Sequence, residues 1–115
     1  MRYFLVTLIV FILLKLAIIL VGARMDIHIS IVSHKNNNDV SRLLLQLSKN
    51  ITPKRVTITE NTRDKPIIIP NSLKDFTQII YNTKSKGFGE NHNSALLSTK
   101  CKYIAIINPD VSIEN

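Results

Sequence analysis

The chain has one cysteine, no tryptophan, three glycines and four prolines in 115 residues. A single cysteine, Cys101, excludes an intrachain disulfide framework and points to a reducing compartment. It stands just before an apolar run and reads as a small packing residue rather than a nucleophile. The shortage of glycine matters most after the first strand-like run, where Ser33-His34-Lys35-Asn36-Asn37-Asn38-Asp39 contains none. A Rossmann dinucleotide fingerprint or a Walker phosphate loop needs glycines at that point, so neither is present. Histidine is also scarce: His28, His34 and His92 lack the spacing of zinc ligands, and His28, inside a strand, reads as structural. No internal repeat or low-complexity tract is visible.

What the chain does have is positive charge and one long apolar stretch. The formal net charge is +7. Arg2, Lys15 and Arg24 belong to the N-terminal segment, and the basic residues beyond it are scattered, with Lys54 and Arg55 the adjacent pair. Scattered charge makes no nucleic-acid stripe and fits a weak attraction to lipid headgroups or to diphosphate ligands. From Tyr3 to Ala23 the sequence is apolar except for Thr7 and Lys15. At about 1.5 Å per residue that run matches a hydrocarbon core of about 30 Å, so residues 1–24 read as a single-pass membrane-spanning or signal-anchor helix. Lys15 opposes insertion by about 2.5 to 3.5 kcal/mol, which the surrounding leucines and isoleucines outweigh. Two other readings stay open: a cleaved signal peptide ending at Val21-Gly22-Ala23, and a translation start at Met25.

Residues 25–115 read as one small domain at the lower end of what folds without metals or disulfides. Ile27 to Ser33 is β-branched and apolar on both faces, as in a strand buried in a parallel sheet. Val40, Leu43, Leu44 and Leu47 follow at helical spacing, with Asn38 or Asp39 as the expected cap and Pro53 beyond the helix end. A second strand is expected from Arg55 to Glu60, then a polar turn from Asn61 to Lys65. Ile67 to Ile69, bounded by Pro66 and Pro70, is too short for a central strand and reads as an edge strand or extended loop. Asp75 to Asn82 is a third strand candidate. A helix through Ala95, Leu96 and Leu97 follows the glycine-containing loop, and Tyr103 to Ile107 is expected as a fourth, buried strand. This alternation predicts an α/β, Rossmann-like domain with a mostly parallel sheet. Ligands of such sheets bind beyond the carboxyl ends of the strands, where the polar clusters starting at His34, Glu60 and Asn108 fall together.

Lys86-Gly-Phe-Gly-Glu-Asn-His-Asn-Ser-Ala-Leu96, followed by Tyr103-Ile-Ala-Ile-Ile-Asn-Pro-Asp110, resembles the family 2, GT-A-type glycosyltransferases, in particular their rhamnosyltransferase-like branch. Ile29-Ser-Ile-Val-Ser-His-Lys-Asn-Asn37 resembles the family's first strand and turn, and Thr59-Glu-Asn-Thr-Arg63 resembles its V-D-N-x-S motif. The four motifs stand in the family's order and cover nearly all of residues 27–110.

The resemblance implies a fold, a reaction and a set of residues. The fold is the N-terminal, nucleotide-sugar-binding half of a GT-A domain. The reaction is inverting transfer of a hexose or deoxyhexose from a nucleotide diphosphate sugar to a glycan or lipid-linked acceptor, in cell-surface polysaccharide synthesis at the cytoplasmic face of a membrane. Ser33, His34 and Glu60 would hold base and ribose, with Glu60 in place of the usual Asp and Arg63 in place of a small residue. Lys86 and Gly87 would face the diphosphate, and Asn93 matches the family's helix-start Asn. Asn108 and Asp110 match the D-x-D position that binds a divalent cation, Mg²⁺ or Mn²⁺. The general base of the family lies downstream of that motif, so no catalytic base is assigned in a chain ending at Asn115. The alternatives are a catalytically inactive, membrane-anchored nucleotide-binding remnant, and a small α/β membrane protein with an accidental likeness.

Overall fold

The computed structural model describes residues 24–113 together with Ile9 and Ile12. The apolar run read as a membrane span therefore lies almost wholly outside the described residues. Among those described, no helix is long and apolar enough to cross a membrane.

The chain runs β1 (Met25–His34), α1 (Asn37–Asn50), β2 (Pro53–Thr62), a 3₁₀ turn (Asn71–Phe76), β3 (Thr77–Tyr81), α2 (Phe88–Leu96) and β4 (Tyr103–Ile106). The strands form one sheet in the order β3-β2-β1-β4, with β1 parallel to β2 and β4, and β2 parallel to β3. The expected α/β class and parallel sheet are thus observed. The chain winds outward from β1 through β2 to β3, then returns past both to place β4 on the other side of β1. That reversal makes the β1/β4 junction the topological switch point, where open α/β sheets form a crevice at the carboxyl ends.

Side-chain parity decides what each face of the sheet buries. Ile29 and Ile31 of β1 and Val56 and Ile58 of β2 pack with Val40, Leu43, Leu44 and Leu47 of α1 into the hydrophobic core, closed by Leu73. Each such side chain contributes about 1.5–3 kcal/mol on full burial. The opposite face, under α2, carries His28, Ser30, Thr57 and Thr59, all buried. His28 Nε2 bonds to Thr57 Oγ1 at 2.7 Å and its Nδ1 to Thr99 Oγ1 at 2.9 Å. Ser30 Oγ bonds to His92 Nδ1 at 2.8 Å. His28 is therefore a structural histidine, as expected from its place in a strand.

Several boundaries differ from the sequence expectation for identifiable reasons. Helix α1 starts at Asn37, ahead of Asn38 and Asp39, with Asn36 at the cap position. The Ser33 hydroxyl accepts the Asn36 N–H at 3.2 Å and donates to Asn37 Oδ1 at 2.5 Å, tightening the turn so that the helix begins early. Lys35 takes up the left-handed conformation this turn needs, with φ 61°. The Ile67 to Ile69 segment keeps to the expectation and, of its two forms, is the loop: Ile67 and Ile69 pack against the core while the Ile68 N–H donates to Ser41 Oγ at 2.9 Å. Strand β3 starts later than Asp75, because buried Leu73 anchors a 3₁₀ turn whose end is tied by Thr77 Oγ1 donating to the Leu73 carbonyl at 2.7 Å. Leu97 lies just past α2 and is exposed. The largest departure is β4, expected to be buried. Tyr103, Ile104 and Ile106 are 59%, 54% and 48% exposed, because β4 pairs only with β1 among the described residues.

Candidate functional site

The carboxyl ends of the strands present Tyr81 of β3, Glu60 of β2, His34 of β1 and the Asn108–Asp110 turn after β4 along one edge. Three inter-strand steps of about 4.8 Å lay this row out over about 14 Å. That is room for an extended nucleoside diphosphate.

Glu60 is 7% exposed and sits in a cavity of about 260 Å³ together with Arg63, Lys65, Ile79 and Tyr81. One oxygen, Oε1, accepts the Asp64 N–H at 3.1 Å. The carboxylate is thus oriented by the backbone and keeps acceptor capacity for a ligand N–H or hydroxyl. The Tyr81 ring is an exposed flat wall, with the Arg63 guanidinium 5.9 Å from its centre.

The two neighbouring helix starts are treated differently. At α1 the Asp64 carboxylate accepts the Asn37 N–H at 3.1 Å. That hydrogen bond, with a second from Lys65, holds the Asp64 carboxyl below its usual range. The end of α1 is already neutralised by a protein carboxylate. At α2 the cap is Gly87, with no side-chain cap bond, so the first N–H groups are free to meet an anion. Lys86 is exposed directly before it. Gly87 has an ordinary φ of −71°, and a Cβ added there would meet no atom within 4 Å. Nothing in the fold demands glycine at this position. What glycine leaves is open space beside the helix start.

The loop that presents Lys86 is held by asparagines to which the sequence motifs assign no role. Asn61 Oδ1 accepts the Lys86 N–H at 2.7 Å and an Asn82 side-chain N–H at 2.9 Å. Its Nδ2 hydrogens are shared among the Lys86 carbonyl, Ser85 Oγ and His34 Nδ1, at 3.0, 3.1 and 3.2 Å. Asn82 also donates to Asn91 Oδ1 at 2.8 Å, and Asn91 donates to the Lys86 carbonyl at 3.3 Å. Parity was the available signal: Asn61 continues the inward row of Thr57 and Thr59, and Asn91 shares the buried face of α2 with His92 and Ala95.

The remaining residues separate into those at the edge and those away from it. His34 is exposed, and its Nδ1 lies 3.2 Å from Asn61 Nδ2 and 2.8 Å from Thr62 Oγ1, so the edge-facing ring is held by two β2 side chains. The Ser33 side chain is fully buried in the turn described above, so only the backbone of that residue is near the edge. Asn93 lies on the exposed side of α2, and no hydrogen bond to its side chain is seen among the described residues. Asn108 and Asp110 are both exposed in a turn closed by the Val111 N–H donating to the Asn108 carbonyl at 3.2 Å. Arg42 of α1 donates to the Pro109 carbonyl at 3.3 Å and to Ser112 Oγ at 2.9 Å, fixing the turn over α1.

No group of three or more His, Cys, Asp or Glu side chains able to hold a metal occurs among the described residues. Hard divalent cations take about six oxygen ligands. Asp110 and Asn108 therefore fit a cation only as minor ligands to one whose shell is filled mainly by diphosphate oxygens and water. A scan against models of protein families finds no match, and a search of curated proteins finds no similar one.

Proposed function

We propose that this chain binds a nucleotide diphosphate sugar along the carboxyl edge of its sheet, as the N-terminal half of an inverting family 2, GT-A-type glycosyltransferase held at a membrane by the Tyr3–Ala23 run. The reading rests first on Glu60, an almost buried carboxylate oriented by the Asp64 N–H in a cavity walled by Tyr81. A pyrimidine base fits this chemistry, because its ring N–H donates to the carboxylate and its face lies on the tyrosine ring. The diphosphate then reaches the open start of α2 beside Lys86, and the sugar extends toward β4. Asn108 and Asp110 are the residues that would touch a phosphate-bound Mg²⁺ or Mn²⁺, whose contribution is to neutralise charge on the leaving diphosphate. The transferred hexose or deoxyhexose and its glycan or lipid-linked acceptor follow from the resemblance, as does a role in cell-surface polysaccharide synthesis.

The thin metal donor set favours a second reading, a membrane-anchored nucleotide-binding remnant without turnover. Calorimetric titration of the full chain in detergent micelles with uridine or thymidine diphosphate and Mn²⁺ tests the shared core of both readings. Binding is expected, and Glu60→Gln weakens it by at least about tenfold, the loss of one hydrogen bond to a charged group. Absence of binding at about millimolar ligand sinks both readings. Sugar release or transfer by the full chain separates the enzyme from the remnant.

A further inference from the structure

The end of the sheet opposite the candidate site has its own character. Arg24, Lys49, Lys54, Arg55, Lys100 and Lys102 all lie at the amino ends of the strands or the carboxyl ends of the helices, and all are exposed. Against them stand the carboxylates of Asp26 and Asp75. Asp26 lies 3.4 Å from the Lys54 ammonium, and a backbone hydrogen bond from Lys102, with Lys54 beside it, keeps its carboxyl ionised below the usual range. At the ligand edge, by contrast, Lys35, Arg63, Lys65, Lys84 and Lys86 are nearly balanced by Glu60, Asp64, Glu90 and Asp110. The charge asymmetry seen only as scatter in the sequence becomes a basic pole once the sheet is folded.

Helix dipoles account for part of it, since Lys49 and Lys100 stand by helix carboxyl ends. They do not account for Arg24, Lys54, Arg55 or Lys102. Two clefts of about 330 and 300 Å³ open at this pole and share Lys54 and Arg55, the first adding Arg24 and the second Lys100. Arg24 is fixed with its guanidinium 3.7 Å from the centre of the Phe76 ring, at the mouth of the first cleft. The Tyr3–Ala23 run joins the domain here, because β1 begins at Met25.

We infer that this basic pole is a docking surface for anionic lipid headgroups, which seats the domain upright on the leaflet that its N-terminal segment enters. Headgroup phosphates match the exposed cations, and juxtamembrane basic clusters are drawn to negatively charged leaflets. The cytoplasmic leaflet carries that charge, so the basic pole places the domain on that side. Seating the amino ends of the strands on the membrane aims their carboxyl ends, with Glu60 and Lys86, into the aqueous phase from which a soluble nucleotide sugar arrives. The inference rests on the membrane reading of Tyr3–Ala23 but not on the identity of the ligand.

The test uses the full chain in nanodiscs of phosphatidylcholine, with or without phosphatidylglycerol. A Ser98→Cys, Cys101→Ser chain reports on the basic pole, and a Thr83→Cys, Cys101→Ser chain on the ligand edge; both substituted positions are exposed. Maleimide labelling at position 98 is expected to slow about fivefold or more when phosphatidylglycerol is included, with position 83 unaffected. The slowing is expected to vanish at about 1 M salt, where the Debye length is about 3 Å. Lys49→Gln and Lys100→Gln should each weaken the protection by about fivefold. Equal labelling at position 98 in both discs, or equal slowing at both positions, overturns the docking surface. Protection by inorganic phosphate in neutral discs also overturns it, in favour of a soluble-anion site. A chain that leaves neutral discs at high salt shows that the anchor reading has failed, whatever the labelling shows.

Discussion

The two faces of the sheet are built from the same strands, yet one is held by exclusion of water and the other by a hydrogen-bonded layer. Toward α1, Ile29, Ile31, Val56 and Ile58 meet four apolar side chains of the helix, and every one is fully buried. Toward α2, His28, Ser30, Thr57 and His92 are almost as buried but bond in pairs, His28 to Thr57 between neighbouring strands and Ser30 to His92 across to the helix. Apolar contacts tolerate small shifts, whereas each polar pair depends on both partners being in place. The apolar face therefore supplies most of the stability. The polar face supplies position, and it is the side on which Asn61 and Asn91 hold the Lys86 loop.

The comparison fails if equal lesions on the two faces cost the same. Leu44→Ala, in the apolar layer, should destabilise the domain by about 2–5 kcal/mol, read from the urea midpoint. Thr57→Val keeps shape but strips His28 of a partner, and should cost about 1–3 kcal/mol. If Thr57→Val proves as damaging as Leu44→Ala, the polar layer is a second core.

Acid sharpens the contrast, because only one face titrates. Burial lowers the pKa of both His28 and His92 from 6.5, with Arg55 adding to the effect at His28. Below pH 6.5 the unfolded chain binds protons that the folded chain refuses. Stability is therefore full above that value and falls as the pH drops toward the folded-state values. The urea midpoint should decline from pH 7.5 to pH 5, and His92→Gln should flatten the decline. A midpoint that stays level over this range removes the case for a buried neutral pair. The smallest effect is expected at Gly87→Ala, where stability should stay within about 0.5 kcal/mol while affinity for nucleoside diphosphate falls. Unchanged affinity there would mean that no ligand uses the space beside α2.

Much of the architecture was legible because hydrophobic period reports directly on burial. Val40, Leu43, Leu44 and Leu47 announced α1 and its inner face, and the β-branched runs announced β1 and β2. The early start of α1 was not legible, since it depends on the Ser33 hydroxyl bonding both Asn36 and Asn37. β4 misled because an apolar run predicts a strand but does not say which strands flank it. At the candidate site, motif matching named Glu60, Lys86 and Asp110, all of which lie at the carboxyl edge. It also named Ser33 and Asn93, one turned into the fold and one out of it. Asn61 coincides with the Asn of the V-D-N-x-S likeness and Asn91 with no fixed motif position; strand and helix parity turn both inward, and the bonds that give them their roles come from the fold.

The exposed edge of β4 has a practical consequence. Its outer amides and carbonyls, beside Ile104 and Ile106, meet no further strand among the described residues and form a template that another chain can extend. In a concentrated preparation the nearest such chain is a second copy. Protein concentration, more than temperature, should then decide how long the purified protein stays monodisperse.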